Sequence, residues 1–218
     1  MKFQKRDLVL EIGSGLSSMI DDSERIVYSD ISFRALRTLK KNQGRGYFVV
    51  ADATHLPFKA GSFSQVICSE VLEHLPKDLQ ALCEIPSVMK QEGSLILTFP
   101  HRRAYFAADD RFVNHLRRYE LDEMEARLKE AGLKTVEICK VLGPLEKITM
   151  LTLISLISLF GRFKKSKPEC GQVVPSSAYV VTAFQWVNRF YCLPIWLDAH
   201  LAPRSLASVL LIRSVRRN

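Results

Sequence analysis

Residues 8–15 read Leu8-Val9-Leu10-Glu11-Ile12-Gly13-Ser14-Gly15, and the fold turns on this stretch. An apolar run interrupted by one acid and closed by Gly-x-Gly predicts a buried parallel strand entering a tight turn. A residue without Cβ lets the backbone bend there and pass close to a ligand. The third glycine of a dinucleotide fingerprint is missing, because Ser17 and Ser18 stand in that region.

Strand and helix signals alternate downstream. Arg25–Asp30 predicts a second strand ending in an acid, and Leu16–Glu24 leaves room for a helix of about two turns at most. Ser32 is expected to cap a helix over Phe33–Asn42. Gly46–Ala51, Phe63–Ser69, Ser94–Phe99 and Leu133–Leu142 read as further strands. Glu70–Lys90 reads as largely helical, with Pro76 and Pro86 expected to break it. Leu121–Ala131 is an amphipathic helix stopped by Gly132. Ser208–Val215 reads as a last strand, expected beside strand six as an antiparallel edge. The pattern predicts an α/β fold: a doubly wound, Rossmann-like, seven-stranded sheet with a helical insertion before the last strand.

The expected division is a core over residues 1–142, an apolar helical insertion over 143–206, and a last strand with a basic tail over 207–218. Ile148–Phe160 is an uncharged run, shorter than the roughly 20 residues that span a bilayer. Tyr179–Leu197 carries Val180, Val181, Phe184, Val187 and Tyr191 at helical spacing. The insertion predicts a cover over a substrate, either as an ordinary packed helical pair or as an apolar face beside lipid. On the second reading, residues 148–167 make peripheral membrane contact, with Lys164, Lys165 and Lys167 towards acidic headgroups.

A hydrophobic fraction of 47% in 218 residues argues for a folded domain rather than disorder. Met1–Asp7 runs straight into the first strand, so no signal peptide is expected there. Five cysteines without CxxC spacing suit reduced thiols and a cytoplasmic setting. A formal charge of +8 is compatible with an anionic partner or with a solvated basic surface. No aromatic–basic interleaving marks a nucleic-acid module, so no specific nucleic acid is predicted.

In an open α/β sheet, ligands sit outside the carboxyl ends of the strands. Those ends carry Glu11 to Gly15, Asp30, Asp52 with Ala53, and Ser69 with Glu70. Asp30 can accept both hydrogen bonds of a ribose diol. Asp52 can accept from an amino group on a base, and Glu11 can balance a cation. A ligand with a ribose, an adenine and a cationic amino-acid end uses all of them.

At these residues the chain resembles the class I S-adenosylmethionine-dependent methyltransferases, of the type 11-like kind. Leu8–Gly15 is similar to their first motif, and Tyr28-Ser29-Asp30-Ile31-Ser32 to their second-strand motif. Val49–Leu75, VVADATHLPFKAGSFSQVICSEVLEHL, resembles D-A-x-x-L-P-F…S-F-D-x-V…E-V-L-E-H. The resemblance covers about residues 7–140. It implies S-adenosylmethionine as cofactor, with Glu11, Gly13, Ser14, Gly15, Asp30, Ile31, Asp52, Ala53 and Ser69 around it. Asp52 and Ala53 would meet the adenine, and the Ser69 region the methionine end. The chain departs from the pattern at Ser17, in the short segment after it, and at Gln91-Glu92-Gly93, where Pro-Gly-Gly is common.

No Asp/Asn-Pro-Pro-Tyr/Phe and no Pro-Cys follows strand four, which disfavours methylation of amino groups or of cytosine C5. Glu70, Glu73 and His74 would share one helix face and could hold a divalent cation, Mg²⁺ or Mn²⁺. E-x-x-E-H also resembles the metal motif of ubiquinone-pathway O-methyltransferases and small-RNA terminal 2′-O-methyltransferases, which adds His115 as a fourth ligand. Without metal, His74, His101 or His115 could serve as general base. The expected activity is methyl transfer to an oxygen of a small-molecule or lipid-linked acceptor. The alternatives are a non-catalytic scaffold on the same fold and an RNA 2′-O-methyltransferase.

Overall fold

The computed structural model describes residues 8–20, 25–161, 193–198 and 200–217. Seven strands form one sheet: β1 (Val9–Ile12), β2 (Ile26–Asp30), β3 (Tyr47–Val50), β4 (Phe63–Ser69), β5 (Met89–Pro100), β6 (Leu133–Leu142) and β7 (Val209–Arg216). Their spatial order is β3-β2-β1-β4-β5-β7-β6. Strands β1 to β5 run parallel to their neighbours, and β7 runs antiparallel to both β5 and β6.

β1 lies between β2 and β4 and is buried at all four positions, as its apolar run requires. Its side chains divide between the two faces of the sheet. Leu10 and Ile12 join Val66, Leu82, Leu95 and Leu97 in the larger core. Val9 turns the other way, to Ile26, Tyr28, Leu36, Leu39 and Ile67. Each such Leu contributes about 1.5–3 kcal/mol by leaving water, which is why the sheet is sandwiched rather than one-sided.

The flanking helices are α1 (Phe33–Gln43), α2 (Asp78–Val88), α3 (Ala108–Phe112), α4 (Leu121–Glu130) and α5 (Pro144–Gly161). Ser32 caps α1 by accepting from the Ala35 amide, and Gly44 closes it in the left-handed conformation. α5 takes up the apolar run at 148–160, and no described helix is long and apolar enough to cross a membrane. Residues 193–198 are also helical. The helical spacing over 179–191 and the basic stretch 162–167 lie outside the described residues.

Three expectations change. Residues 16–20 form turns and bends instead of starting a helix, because the Glu11 carboxylate takes the Ser18 hydroxyl and the Met19 amide. The 70–90 stretch is not one helix broken by prolines. Glu70 has a left-handed φ of 52°, a single 3₁₀ turn spans Leu72–His74, and α2 then runs through Pro86 to its end two residues later. The third change concerns the sheet's edge. β7 is an inner strand with Leu210 and Ile212 fully buried, while β6 carries Lys134, Glu137 and Lys140 and forms the edge. Charged side chains suit an edge, where they discourage pairing with another chain.

Candidate active site

The carboxyl ends of β1, β2 and β4 surround a cavity of about 300 Å³. Gly13, Asp30, Ile31, Asp52, Ala53, Glu70, Val71 and His74 line it. Glu11, Ser14, Gly15 and Ser69 are not among the lining residues. A larger, open groove of about 950 Å³ runs past Glu92, Lys129, Lys134 and Arg216, where the sheet ends away from these motifs. Its size does not make it the site, since it offers mixed surface charge and none of the convergent groups.

Gly13 has a φ of 67°, and a Cβ there would stand 2.4 Å from Val71 Cγ2. Only glycine fits both the backbone and the space. Asp30 braces the two turns beside it. Its Oδ2 accepts from the Gly15 amide at 2.9 Å and its Oδ1 from the Ser32 amide at 2.7 Å. A carboxylate has about four acceptor positions, so each oxygen retains one for a ribose hydroxyl. Asp52 Oδ1 accepts from the Thr54 amide and hydroxyl, both at 2.8 Å. Those bonds, the amide first, hold the Asp52 pKa below the usual carboxylate range.

Glu11 is 3% exposed and faces away from the cavity, anchoring Ser18 at 2.5 Å and Met19 at 2.9 Å. Burial raises its pKa despite these two bonds. The Ser14 amide donates to the Ser29 carbonyl at 3.1 Å, which fixes the turn to β2, and its hydroxyl is buried without a partner. Ser69 shares a 2.8 Å hydrogen bond with the Thr98 hydroxyl on β5.

The second half of the site starts where Glu70 turns the chain out of β4. The 3₁₀ turn then carries Leu72 and Glu73 inward and leaves His74 at the cavity rim. Glu73 is 0% exposed, and neither of its carboxylate oxygens has a hydrogen-bond partner among the described residues. Burial, and then the Glu70 carboxylate, push its pKa well up. Glu70 is also raised by burial, partly offset by a hydrogen bond with Thr98.

His74 and His115 meet edge to face at 4.8 Å between ring centroids. His115 Nε2 lies 3.8 Å from Glu73 Oε1. Ligand atoms of Glu73, His74 and His115 all lie within 4.8 Å of one another, a grouping that does not include Glu70. His74 Nδ1 is 3.2 Å from the Asn114 carbonyl, and His115 Nδ1 is 3.0 Å from Asp110 Oδ1. A carbonyl and a carboxylate only accept, so both rings carry their proton on Nδ1 and leave Nε2 as an acceptor. Partial burial and the neighbouring His115 lower the pKa of His74. His101 is committed elsewhere: its Nδ1 meets the Ala207 carbonyl at 3.0 Å and its Nε2 faces Glu120 at 3.8 Å.

Asp110, Arg118, Asn114 and Lys147 support this end and escaped the sequence reading. Lys147 reaches Asp110 across 37 positions and Asn114 reaches His74 across 40, while His115 and Arg118 lie 5 and 8 positions from Asp110. Burial alone would raise the Asp110 carboxyl. The His115 and Lys147 hydrogen bonds, the Ala107 amide and the Arg118 charge hold it far below the usual range instead.

Residues 10–97 match the methyltransferase-domain family. This stretch is similar to methyltransferase domains. An uncharacterised protein of Methanocaldococcus jannaschii is 37% identical over 100 residues, which is 44% of this chain and 43% of that protein. A probable S-adenosylmethionine-dependent methyltransferase of Mycobacterium tuberculosis is 26% identical over 137 residues, 60% of this chain and 50% of that one. The aligned parts thus span about half the length, or less, of these curated relatives. A crystal structure from Bacillus halodurans, classed with the methyltransferases, superposes with a TM-score of 0.61 at 16% identity, covering 99% of this chain and 94% of that one. That likeness concerns the fold alone.

Proposed function

We propose that the chain is an S-adenosylmethionine-dependent methyltransferase whose acceptor atom is an oxygen of a small-molecule or lipid-linked substrate. The observation that carries the reading is the make-up of one cavity. A glycine turn, two ligand-facing acids and an imidazole line it together. Asp30 and Asp52 would hold the ribose and the base, and the Gly13 backbone would pass under them. The bound cofactor supplies an electrophilic methyl on a sulfonium sulfur.

His74 at the cavity rim, with His115 behind it, would present Nε2 to the hydroxyl of the acceptor and take up its proton as the oxygen becomes a nucleophile. The Asn114 carbonyl would keep His74 in the tautomer that can do this, and the Asp110 carboxylate would fix His115 behind it. Val71 and Leu75 supply apolar wall, which favours an acceptor lying close and desolvated.

In the alternative to a histidine base, this end would take a divalent cation. The orphaned Glu73 carboxylate and the His74 and His115 imidazoles form a donor set of two nitrogens and one carboxylate. That set suits Zn²⁺ or Mn²⁺ better than Mg²⁺, which prefers oxygen alone. Such an ion would polarise the acceptor hydroxyl. The lipid-linked form of the proposal draws on the apolar α5 and on exposed Ile148 and Trp196. Contact with a membrane through 148–167 and a cytoplasmic setting belong to the same proposal.

Calorimetric titration with S-adenosylhomocysteine tests the reading, with and without Mn²⁺ or Zn²⁺. Binding in the micromolar range is expected, and Asp30→Ala is expected to weaken it roughly ten- to a hundredfold through loss of two hydrogen bonds to charge. Absence of binding overturns the enzyme reading in favour of a scaffold.

A further inference from the structure

The ammonium of Lys147, in the first turn of α5, is 4% exposed and belongs to neither of the proposed cofactor contacts. It donates to Asp109 Oδ1 at 2.7 Å, Asp109 Oδ2 at 2.6 Å and Asp110 Oδ2 at 2.7 Å. The other oxygen of Asp110 takes His115 Nδ1 at 3.0 Å and Arg118 Nε at 2.7 Å. One carboxylate therefore bridges the helix that opens the 143–206 segment and the imidazole at the back of the site.

The rest of that first turn is fastened in the same place. Ser208 Oγ lies 2.9 Å from Glu146 Oε2 and 3.0 Å from the Gly143 carbonyl oxygen and shares its one proton between them. The Leu145 amide donates to Asp198 Oδ2 at 2.8 Å, from the far end of the segment. The first turn of α5 is thus tied to α3 through Lys147, to Ser208 just before β7, and to Asp198.

Stability alone is a weak reason for this cluster. A buried set of two acids and two cations is often matched or exceeded by apolar side chains of similar volume. α5 is otherwise apolar from Ile148 onward, and a methionine at 147 would suit such a helix. What an apolar side chain cannot do is hold the Asp110 carboxylate at a fixed angle to an imidazole. A carboxylate behind the Nδ1–H is the standard means of fixing a working histidine ring.

We infer that Lys147 is a positioning residue, which clamps the start of the 143–206 segment to Asp109 and Asp110 and thereby holds Asp110 against His115. Seating the segment and orienting the ring are one event. The inference rests on reading the His74–His115 end as part of the site. Its consequence is that the first turn of α5 and the His115 ring behind His74 are held in register together.

The test uses the full chain with ¹⁵N-labelled histidine and follows two readouts together. One is the ring-nitrogen shifts of His115, which report the tautomer. The other is amide hydrogen exchange in α5. The wild-type chain is expected to show a single Nδ1–H tautomer. In Lys147→Met, α5 exchange is expected to rise roughly tenfold or more and the His115 signal to become a mixture of tautomers. Lys147→Arg is expected to restore both, because a guanidinium can also bridge two carboxylates. Asp109→Asn weakens the same clamp by less and leaves Asp110 in place, so it serves if the methionine variant does not fold; both readouts should move together there too. Faster exchange in α5 with an unchanged Nδ1–H tautomer overturns the inference, leaving a structural staple only, and so does no change in either readout. The methyltransferase reading fails separately, as an absence of S-adenosylhomocysteine binding to the wild-type chain.

Discussion

At the glycine end of the cavity each acid is held by backbone amides of the turns beside it. Asp52 takes Thr54, and Asp30 takes Ser32 and the Gly15 turn. At the histidine end side chains do the holding, and one of them comes from far along the chain. Asp110 takes His115 and Arg118 nearby and Lys147 across 37 positions, and Glu73 is buried with no hydrogen-bond donor among the described residues. The first construction is solvated and locally satisfied. The second concentrates charge in a dry place and depends on several elements docking at once. Local satisfaction makes a site robust and readable. Long-range satisfaction makes it sensitive to any one partner, which is where a reaction can be controlled.

The sharpest way to break this contrast is Asp110→Ala. It strips a buried carboxylate from Lys147, Arg118 and His115 together. Removing one partner of a buried ion cluster costs about 3–5 kcal/mol. Asp109 still faces Lys147, so about 3 kcal/mol is expected from urea unfolding. S-adenosylhomocysteine affinity should stay within about twofold, because no bond at the glycine end passes through Asp110. A tenfold loss of affinity would show that the two ends are not separately built.

The histidine end also predicts an unusual pH dependence in metal-free protein. Burial, with the Glu70 carboxylate next, raises the Glu73 pKa well above 4.5 in the folded chain. Folded protein therefore holds a proton that unfolded protein releases near 4.5. The stability linked to Glu73 is fully present below about pH 4.5 and is lost as pH rises through its raised folded pKa. Glu11 and Glu70 are raised in the same sense. Asp110 acts oppositely, since its stabilisation is present above 3.8 and fades as pH falls below that. Glu73→Gln is expected to flatten the decline above pH 4.5 and to stabilise the protein at neutral pH by about 1 kcal/mol, read from urea midpoints across pH. An unchanged slope would mean that Glu73 is satisfied in solution. A bound cation should also flatten the slope, and the variant should lose that response.

The same contrast explains what could be read in the sequence. The order of strands from Leu8 to Ser69, the Ser32 cap and the Gly132 stop follow from periodicity and turn chemistry, and the structure keeps them. The turns at 16–20 were hidden because a side chain, Glu11, supplies the bonds a helix would have made. The 3₁₀ turn at Leu72–His74 was hidden because Glu70 adopts a left-handed φ, which its residue type does not announce. The sequence brought Glu70, Glu73, His74 and His115 into one group, and the structure gathers the last three. Asp110 and Lys147 carry no such signal, because an acid pair in a short helix and a lysine at a helix start each suit a solvated surface.

The smallest effect is expected at Ser32, and it sharpens the comparison from the other side. Its hydroxyl accepts from the Ala35 amide at 3.2 Å, while its own amide donates to Asp30 Oδ1 at 2.7 Å. Ser32→Ala removes the first bond and keeps the second. Loss of an N-cap costs about 0.5–2 kcal/mol, and the long bond places this one near the lower end, at about 0.5–1 kcal/mol in thermal or urea unfolding. The Asp30 carboxylate should stay in place, because the backbone holds it and the backbone is unchanged. Affinity for S-adenosylhomocysteine should therefore be the same within error while α1 frays. If affinity falls together with stability, the cap and the ribose-facing acid act as one unit. The glycine end would then share the cooperative character assigned to the histidine end, and the difference between them would be one of degree.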